Sequence, residues 1–209
     1  MAIKSLTHYF DYKSPYAYLA QDETFLLEKE YNIRVDFLPL TLDIPQYLGS
    51  AEVDKDGTVK NEERNPHQWR RVKYSYMDCR REAARRGLII RGPRHIFDSS
   101  LSHIGMLFAK KNGDFRAYHN AVYERFWRRE LDIEDPEVLA QVLQEVGLDG
   151  PDFLTYIESE GREEHDAVQR EAMRNGVFGV PSYLIGGELF WGAERLVRVR
   201  ERLSGKASN

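Results

Sequence analysis

Ser14-Pro15-Tyr16-Ala17 joins two different kinds of sequence. Before it, Ser5–Lys13 (SLTHYFDYK) reads as a strand. After it, Tyr16–Lys29 (YAYLAQDETFLLEK) reads as a helix. A strand that ends in a short polar turn and feeds a helix holds a side chain at the helix N-terminus. Free N–H groups and the helix dipole favour an anion there, and serine adds an O–H donor. The chemistry open to Ser14 is therefore the steadying of negative charge on a bound group. Ser followed by Pro at the first helical position is also an ordinary capping device. The four residues alone do not choose between these readings.

A second segment far along the chain bears on the choice. It is Gly176–Trp191 (GVFGVPSYLIGGELFW). Pro181 opens a strand-like run, Pro181–Ile185. Gly186-Gly187 is a two-residue hairpin signal, and Glu188–Trp191 is the return strand. A proline at this place is either a plain trans residue starting a strand or a cis residue that turns the preceding backbone outward.

Other chemistries are limited by what the chain lacks. Cys79 is the sole cysteine, so neither an intrachain disulfide nor a dithiol redox cycle is available. Cys79 sits within a helical pattern and is expected to act as a small buried hydrophobe. The six histidines show no metal-ligand spacing. His67, His95, His103, His119 and His165 are expected to be surface or packing residues, and no metal is expected. The net charge of −4 argues against nucleic acid or an anionic membrane as partner. Arginine-rich stretches such as Arg80-Arg81 and Arg85-Arg86 alternate with acidic residues and read as solvated helix faces.

These residues must be positioned by a fold, and 209 residues suffice for a sizeable core. Ile33–Leu38 alternates apolar and polar residues. With the first strand and helix it completes a β-α-β unit, which implies parallel pairing. Residues 41–65 read as a loop. Helical patterns follow over 66–86, 96–111 and from Phe115 to Phe126. A fourth starts at Asp135-Pro136, a fifth follows Gly147–Pro151, and a sixth follows Gly161. A closing helix covers Ala193–Leu203. The order is β-α-β, helical block, β-β-α. The fold class is α/β, with residues 1–40 and 178–209 forming one discontinuous domain and 41–177 a helical insertion. No signal peptide precedes the first strand and no stretch could cross a bilayer, so a cytoplasmic location is expected.

At this point the chain resembles the DsbA-like superfamily of thioredoxin folds. The resemblance is strongest to the branch holding 2-hydroxychromene-2-carboxylate isomerase and kappa-class glutathione transferase. It rests on Phe10–Ala20 (FDYKSPYAYLA), Phe178–Pro181 (FGVP) and Trp191–Leu196 (WGAERL). It implies a thioredoxin-like fold with an all-helical insertion, and glutathione as cofactor. Ser14 would stand where dithiol relatives carry the first cysteine of Cys-x-x-Cys, its hydroxyl facing the glutathione sulfur. Serine forms no mixed disulfide, which moves the chemistry from redox to addition or transfer through a thiolate. Pro181 would be the cis-proline, and Val180 would offer its N–H and C=O to the glutathione backbone. Glu194 and Arg195 would hold the γ-glutamyl end, and Asn65 would contact the ligand. The chain departs from the family pattern at Ala193, where a small polar residue is usual. It also has Arg80 where Asp usually follows the Lys73–Tyr76 pair.

The expected activity is a glutathione-dependent isomerase or transferase acting on a small aromatic or unsaturated molecule. The alternative is a non-catalytic thioredoxin-like module whose groove binds an extended peptide. The substrate pocket is expected between Ser14, Val180-Pro181 and the first helices after Asn65, with apolar walls. Tyr16, Trp69, Lys73, Tyr76 and Trp191 would line it, because positions 69, 73 and 76 share one helical stripe. A homodimer is left open.

Overall fold

The computed structural model describes residues 5–205. Residues 1–4 and 206–209, the two ends of the expected core domain, lie outside the described residues. Strand β1 (Ser5–Phe10) pairs in parallel with β2 (Arg34–Pro39), joined by helix α1 (Pro15–Tyr31). Strand β5 (Ser182–Ile185) lies antiparallel on the other side of β1, and β6 (Glu188–Trp191) follows through the Gly186-Gly187 turn. Both turn glycines have positive φ, as such hairpins require. The sheet order is β2-β1-β5-β6. This central β1 explains its composition: Leu6, His8, Tyr9 and Phe10 are all buried.

Residues 41–65 are more ordered than their loop-like composition suggests. Helix α2 (Ile44–Leu48) starts at an Asp43 cap, and β3 (Ala51–Val53) pairs with β4 (Val59–Glu62). This hairpin lies almost wholly at the surface, where the charged residues that read as loop can solvate a strand as well. The insertion thus contains a two-stranded sheet besides its helices.

The helices are α3 (Pro66–Arg85), α4 (Ser100–Asn112), α5 (Phe115–Trp127), α6 (Pro136–Glu145), α7 (Gly150–Tyr156) and α8 (Arg162–Arg174). Gly161 does not break the last two apart. A π-helical turn over Ile157–Gly161 joins them into one bent rod. Gly161 is needed for contact instead: a Cβ there would lie 2.7 Å from Ile104 and 2.8 Å from Tyr156. The closing helix begins as a 3₁₀ turn over Ala193–Arg195 before α9 (Leu196–Leu203). One core runs from the sheet into the helical block, through Phe10, Tyr12, Tyr123 and Trp127.

Candidate functional site

Ser14 caps α1. Its Oγ accepts the Ala17 N–H at 3.2 Å, and Pro15 occupies the first turn. Its own O–H proton meets no acceptor among the described residues. The hydroxyl is therefore a free donor at a helix N-terminus, the environment that favours a thiolate over a thiol. Ser14 is nearly buried at 6% exposure, so solvent does little to screen it.

Backbone contacts fix the turn that presents Ser14. The Asp11 carbonyl accepts the Ser14 N–H at 2.9 Å and the Tyr123 hydroxyl at 3.2 Å. The Asp11 carboxylate accepts the N–H groups of Lys13 at 3.0 Å and Leu42 at 2.8 Å. Lys13 Nζ donates to the Leu42 carbonyl at 2.9 Å and stands 3.6 Å from Asp11. Burial alone would raise the Asp11 pKa. The Lys13 ammonium, His103 and the Leu42 N–H outweigh it and hold the carboxyl well below its usual range.

The register brings the second segment to the same place. Ser182 pairs with Tyr9 on β1, so Val180-Pro181 and the Ser14 turn leave the same end of adjoining strands. The Val180–Pro181 peptide bond is cis. The Pro181 carbonyl accepts the Gly192 N–H at 2.9 Å. The N–H and C=O of Val180 meet no hydrogen-bond partner among the described residues, although Val180 is buried. Val180 thus presents a donor from the 179–180 peptide and an acceptor from the cis 180–181 peptide, both without a partner among the described residues, at the strand end that also carries the Ser14 turn.

Next to Val180, Phe178 and Trp191 pack ring to ring at 4.8 Å, each about half exposed. Gly179 permits this, since a Cβ there would lie 2.7 Å from the Trp191 indole nitrogen. Glu194 is exposed and its carboxylate folds back over Gly192, whose φ of +110° and lack of a Cβ make room for it.

A cleft of about 430 Å³ opens from Tyr16 between α1, α3 and the start of the closing helix. Its walls are mixed: Leu19, Ala20, Ala193 and Leu196 supply apolar surface, and Glu23, Asp78, Glu82 and Glu194 stand with Arg86 and Arg200 around them. Tyr16 donates to Asp78 at 3.3 Å. Burial, followed by the nearby Cys79, raises the Tyr16 pKa, and burial pushes the Cys79 thiol up to about 12. Cys79 is thus an inert thiol in a fully buried position.

Of the expected pocket residues, Tyr16 borders this cleft, together with Glu194 of the expected glutathione set, and Trp191 stands beside Val180. Trp69, Lys73 and Tyr76 do not join them. The face of α3 that meets α1 carries Asp78, Cys79, Glu82 and Arg86. At 100° per residue this lies roughly a third of a turn from the 69–73–76 stripe. Trp69 lies between Arg64 and Lys73 and donates its indole N–H to Glu62 on β4. Tyr76 packs over Gly92. The hairpin meets Trp69 and the loop at 90–94 meets Tyr76, neither announced by the sequence, while Lys73 stays exposed. Asn65 is likewise engaged elsewhere. Its side chain accepts the Gln68 N–H at 2.9 Å in a reciprocal capping box. Arg195 is exposed and makes no ion pair among the described residues.

The family model of the DSBA-like thioredoxin domain matches residues 5–204. The chain belongs to this family. Among curated relatives, the DSBA-like chain is 28% identical over 194 residues to the 2-hydroxychromene-2-carboxylate isomerase of Sphingobium xenophagum, covering 92% of this chain and 94% of that one. Among solved structures, it is similar to a 2-hydroxychromene-2-carboxylate isomerase with a TM-score of 0.70 at 22% identity, covering 98% and 100% of the two chains. It is also similar to the cytosolic disulfide reductase DsbM from Pseudomonas aeruginosa with GSH, with a TM-score of 0.60 at 16% identity and 96% coverage of each. At such identities the structures speak for the fold. No helix among the described residues of this DSBA-like chain is long and apolar enough to cross a membrane.

Proposed function

We propose that this chain is a glutathione-dependent isomerase of the 2-hydroxychromene-2-carboxylate type, with glutathione transfer as its broader form. The observation that carries the reading is the pairing of a free Ser14 O–H at a helix N-terminus with the unpartnered N–H and C=O of Val180. That set fits glutathione. An extended γ-glutamyl peptide can satisfy an orphaned backbone donor and acceptor together, as an added strand does. Ser14 would meet the sulfur and Glu194 the amino group of the γ-glutamyl end. Asn65 drops from the binding set, because its side chain is spent as a cap, whereas Arg195, exposed like Glu194 beside it, stays available to the γ-glutamyl end.

Bound glutathione would supply a thiolate able to add reversibly to an unsaturated substrate carbon. The chain's own part is to hold and steady that charge. The Ser14 O–H donates to it, the α1 dipole lowers its energy, and the near-complete burial of Ser14 keeps water from competing. Phe178 and Trp191 would give an aromatic substrate a face to lie on.

Calorimetry with reduced glutathione tests the reading. Binding that is lost when the peptide analogue lacks the γ-glutamyl amino group is expected. Absence of heat at millimolar glutathione would remove it and leave the peptide-binding module, for which Val180 offers the same backbone groups.

A further inference from the structure

Beneath the Ser14 turn, five side chains line up end to end from a buried carboxylate to the surface. Asp11 is fully buried, and His103 Nε2 on α4 stands 3.4 Å from its Oδ1. His103 Nδ1 is 2.8 Å from Thr41 Oγ1, and the same hydroxyl is 2.9 Å from His165 Nε2 on α8. His165 Nδ1 lies 3.3 Å from Asp166, whose carboxylate is 51% exposed. Gln169 accepts the Thr41 N–H at 2.9 Å and holds the middle of the chain in place.

Counting protons gives this row a property that single contacts do not have. Four contacts separate the two carboxylates. A neutral imidazole carries one N–H and threonine one O–H. Two neutral histidines and Thr41 therefore hold three protons for four contacts, and one contact stays open. If Thr41 donates to His103, then the His103 Nε2–H faces the Asp11 charge at 3.4 Å, an ion-pair distance at which no hydrogen bond is formed in this structure, and the open contact faces Asp166. If Thr41 donates to His165, the open contact falls between a bare His103 nitrogen and the buried Asp11 charge. Water can serve the half-exposed Asp166 but not Asp11, so the first arrangement is the resting one.

We propose that His103, Thr41 and His165 form a proton relay between solvent at Asp166 and the buried Asp11 carboxylate. A proton from water binds His165 Nδ1, and the His165 Nε2 proton passes to Thr41 Oγ1. The Thr41 proton passes to His103 Nδ1, and the His103 Nε2 proton to Asp11 Oδ1. One proton enters, one arrives, and every heavy atom keeps its valence. The Lys13 ammonium and the N–H groups of Lys13 and Leu42 favour the ionised carboxylate, so the added proton rests mainly on the imidazoles.

The surrounding charges set when the relay fills. Asp11, Asp98 and Asp166 favour the extra proton. Lys13 on the turn and Arg162 on α8, which donates to Ser100 at 2.8 Å, oppose it. Burial, followed by His103 and by Arg162, holds His165 down to about 4, and burial lowers His103 as well. The relay is thus in its three-proton form at neutral pH and fills in acid. Its use in catalysis rests on Ser14 being the reactive residue. The proton count does not.

Nitrogen-15 NMR of the full chain labelled at histidine reads both tautomers and their titration between pH 7 and 4. At pH 7 His103 and His165 are both expected as Nε2–H tautomers, and on acidification their signals move together at one midpoint. In Thr41→Val the His103 signal stops following His165. Asp166→Asn, a surface change that leaves the core intact, lowers the midpoint by about half a unit, the size of one half-exposed charge pair. A His103 Nδ1–H tautomer at pH 7, or a His103 response that persists without Thr41, would overturn the relay. Failure of glutathione to bind leaves these signals unchanged, so the two proposals fail separately.

Discussion

Ser14 does two separable things, and a single substitution measures both. Ser14→Ala removes the acceptor of the Ala17 N–H. It should cost about 1 kcal/mol of stability, as loss of a side-chain cap generally does, read from a denaturant midpoint at unchanged slope. On the proposed reading it also removes the donor to the thiolate, so turnover should fall by about 10²-fold or more, in the range seen when one charge-stabilising donor is lost. A turnover that tracks only the stability loss would show Ser14 to be a cap and nothing else. Ala193 offers the opposite experiment. It stands at the start of the closing helix beside Glu194. Ala193→Ser places a hydroxyl where the resemblance implies a small polar residue and, on the proposed reading, should tighten glutathione binding by about threefold to tenfold, the worth of one net hydrogen bond. Equilibrium titration with reduced glutathione checks this.

Element by element, periodicity carried most of the architecture and failed where packing outvoted it. The β-α-β start, the Gly186-Gly187 hairpin and the closing helix all have local signatures, and the Ser14–Val180 juxtaposition follows from their order. The β3–β4 hairpin has none: Ala51–Glu62 is polar because most of it is exposed, with only Ala51 and Val53 half-buried in β3. It engages Trp69 through Glu62, on the side of α3 away from α1. His103, His119 and His165 are packing residues, as expected, and buried ones, but no spacing in the chain reveals that Thr41 will sit between two of them. Gly105 shows the same dependence on partners. It lies in the middle of α4, where glycine disfavours a helix. A Cβ there would collide with the hydroxyl of Tyr118 on α5, a fully buried side chain that donates to the Ser102 carbonyl at 3.1 Å. Gly105→Ala should therefore destabilise by about 1–3 kcal/mol, the usual cost of overpacking, despite the gain in helix propensity. Thermal unfolding decides the sign. A stabilised variant would mean that α4 and α5 separate easily.

Across the whole molecule, the buried histidines and Asp11 set how the fold responds to acid. Burial lowers the His8 pKa from 6.5 to about 3. Burial also lowers those of His103 and His119, the latter with a further contribution from His8. In the unfolded chain all of these groups take up protons near their ordinary value of 6.5. Between pH 6.5 and about 3 the unfolded state therefore binds more protons than the folded one, and stability must fall as pH falls. His8 contributes a slope of about 1.4 kcal/mol per pH unit through that window, and the lowered pKa values of His103 and His119 add to it in the same direction. Asp11 adds to the loss only lower down, since its folded pKa lies below its unfolded one and its contribution is present above the unfolded value. Stability should thus be flat near neutrality and drop steeply below about pH 6. His8→Phe should flatten that drop, because His8 sits between Phe37 and Tyr183 with neither ring nitrogen hydrogen-bonded to a partner. Chemical denaturation of both proteins at a series of pH values from 7 to 4 measures the two slopes. Equal slopes would mean that His8 is protonated in the folded state and that its burial does not exclude the charge.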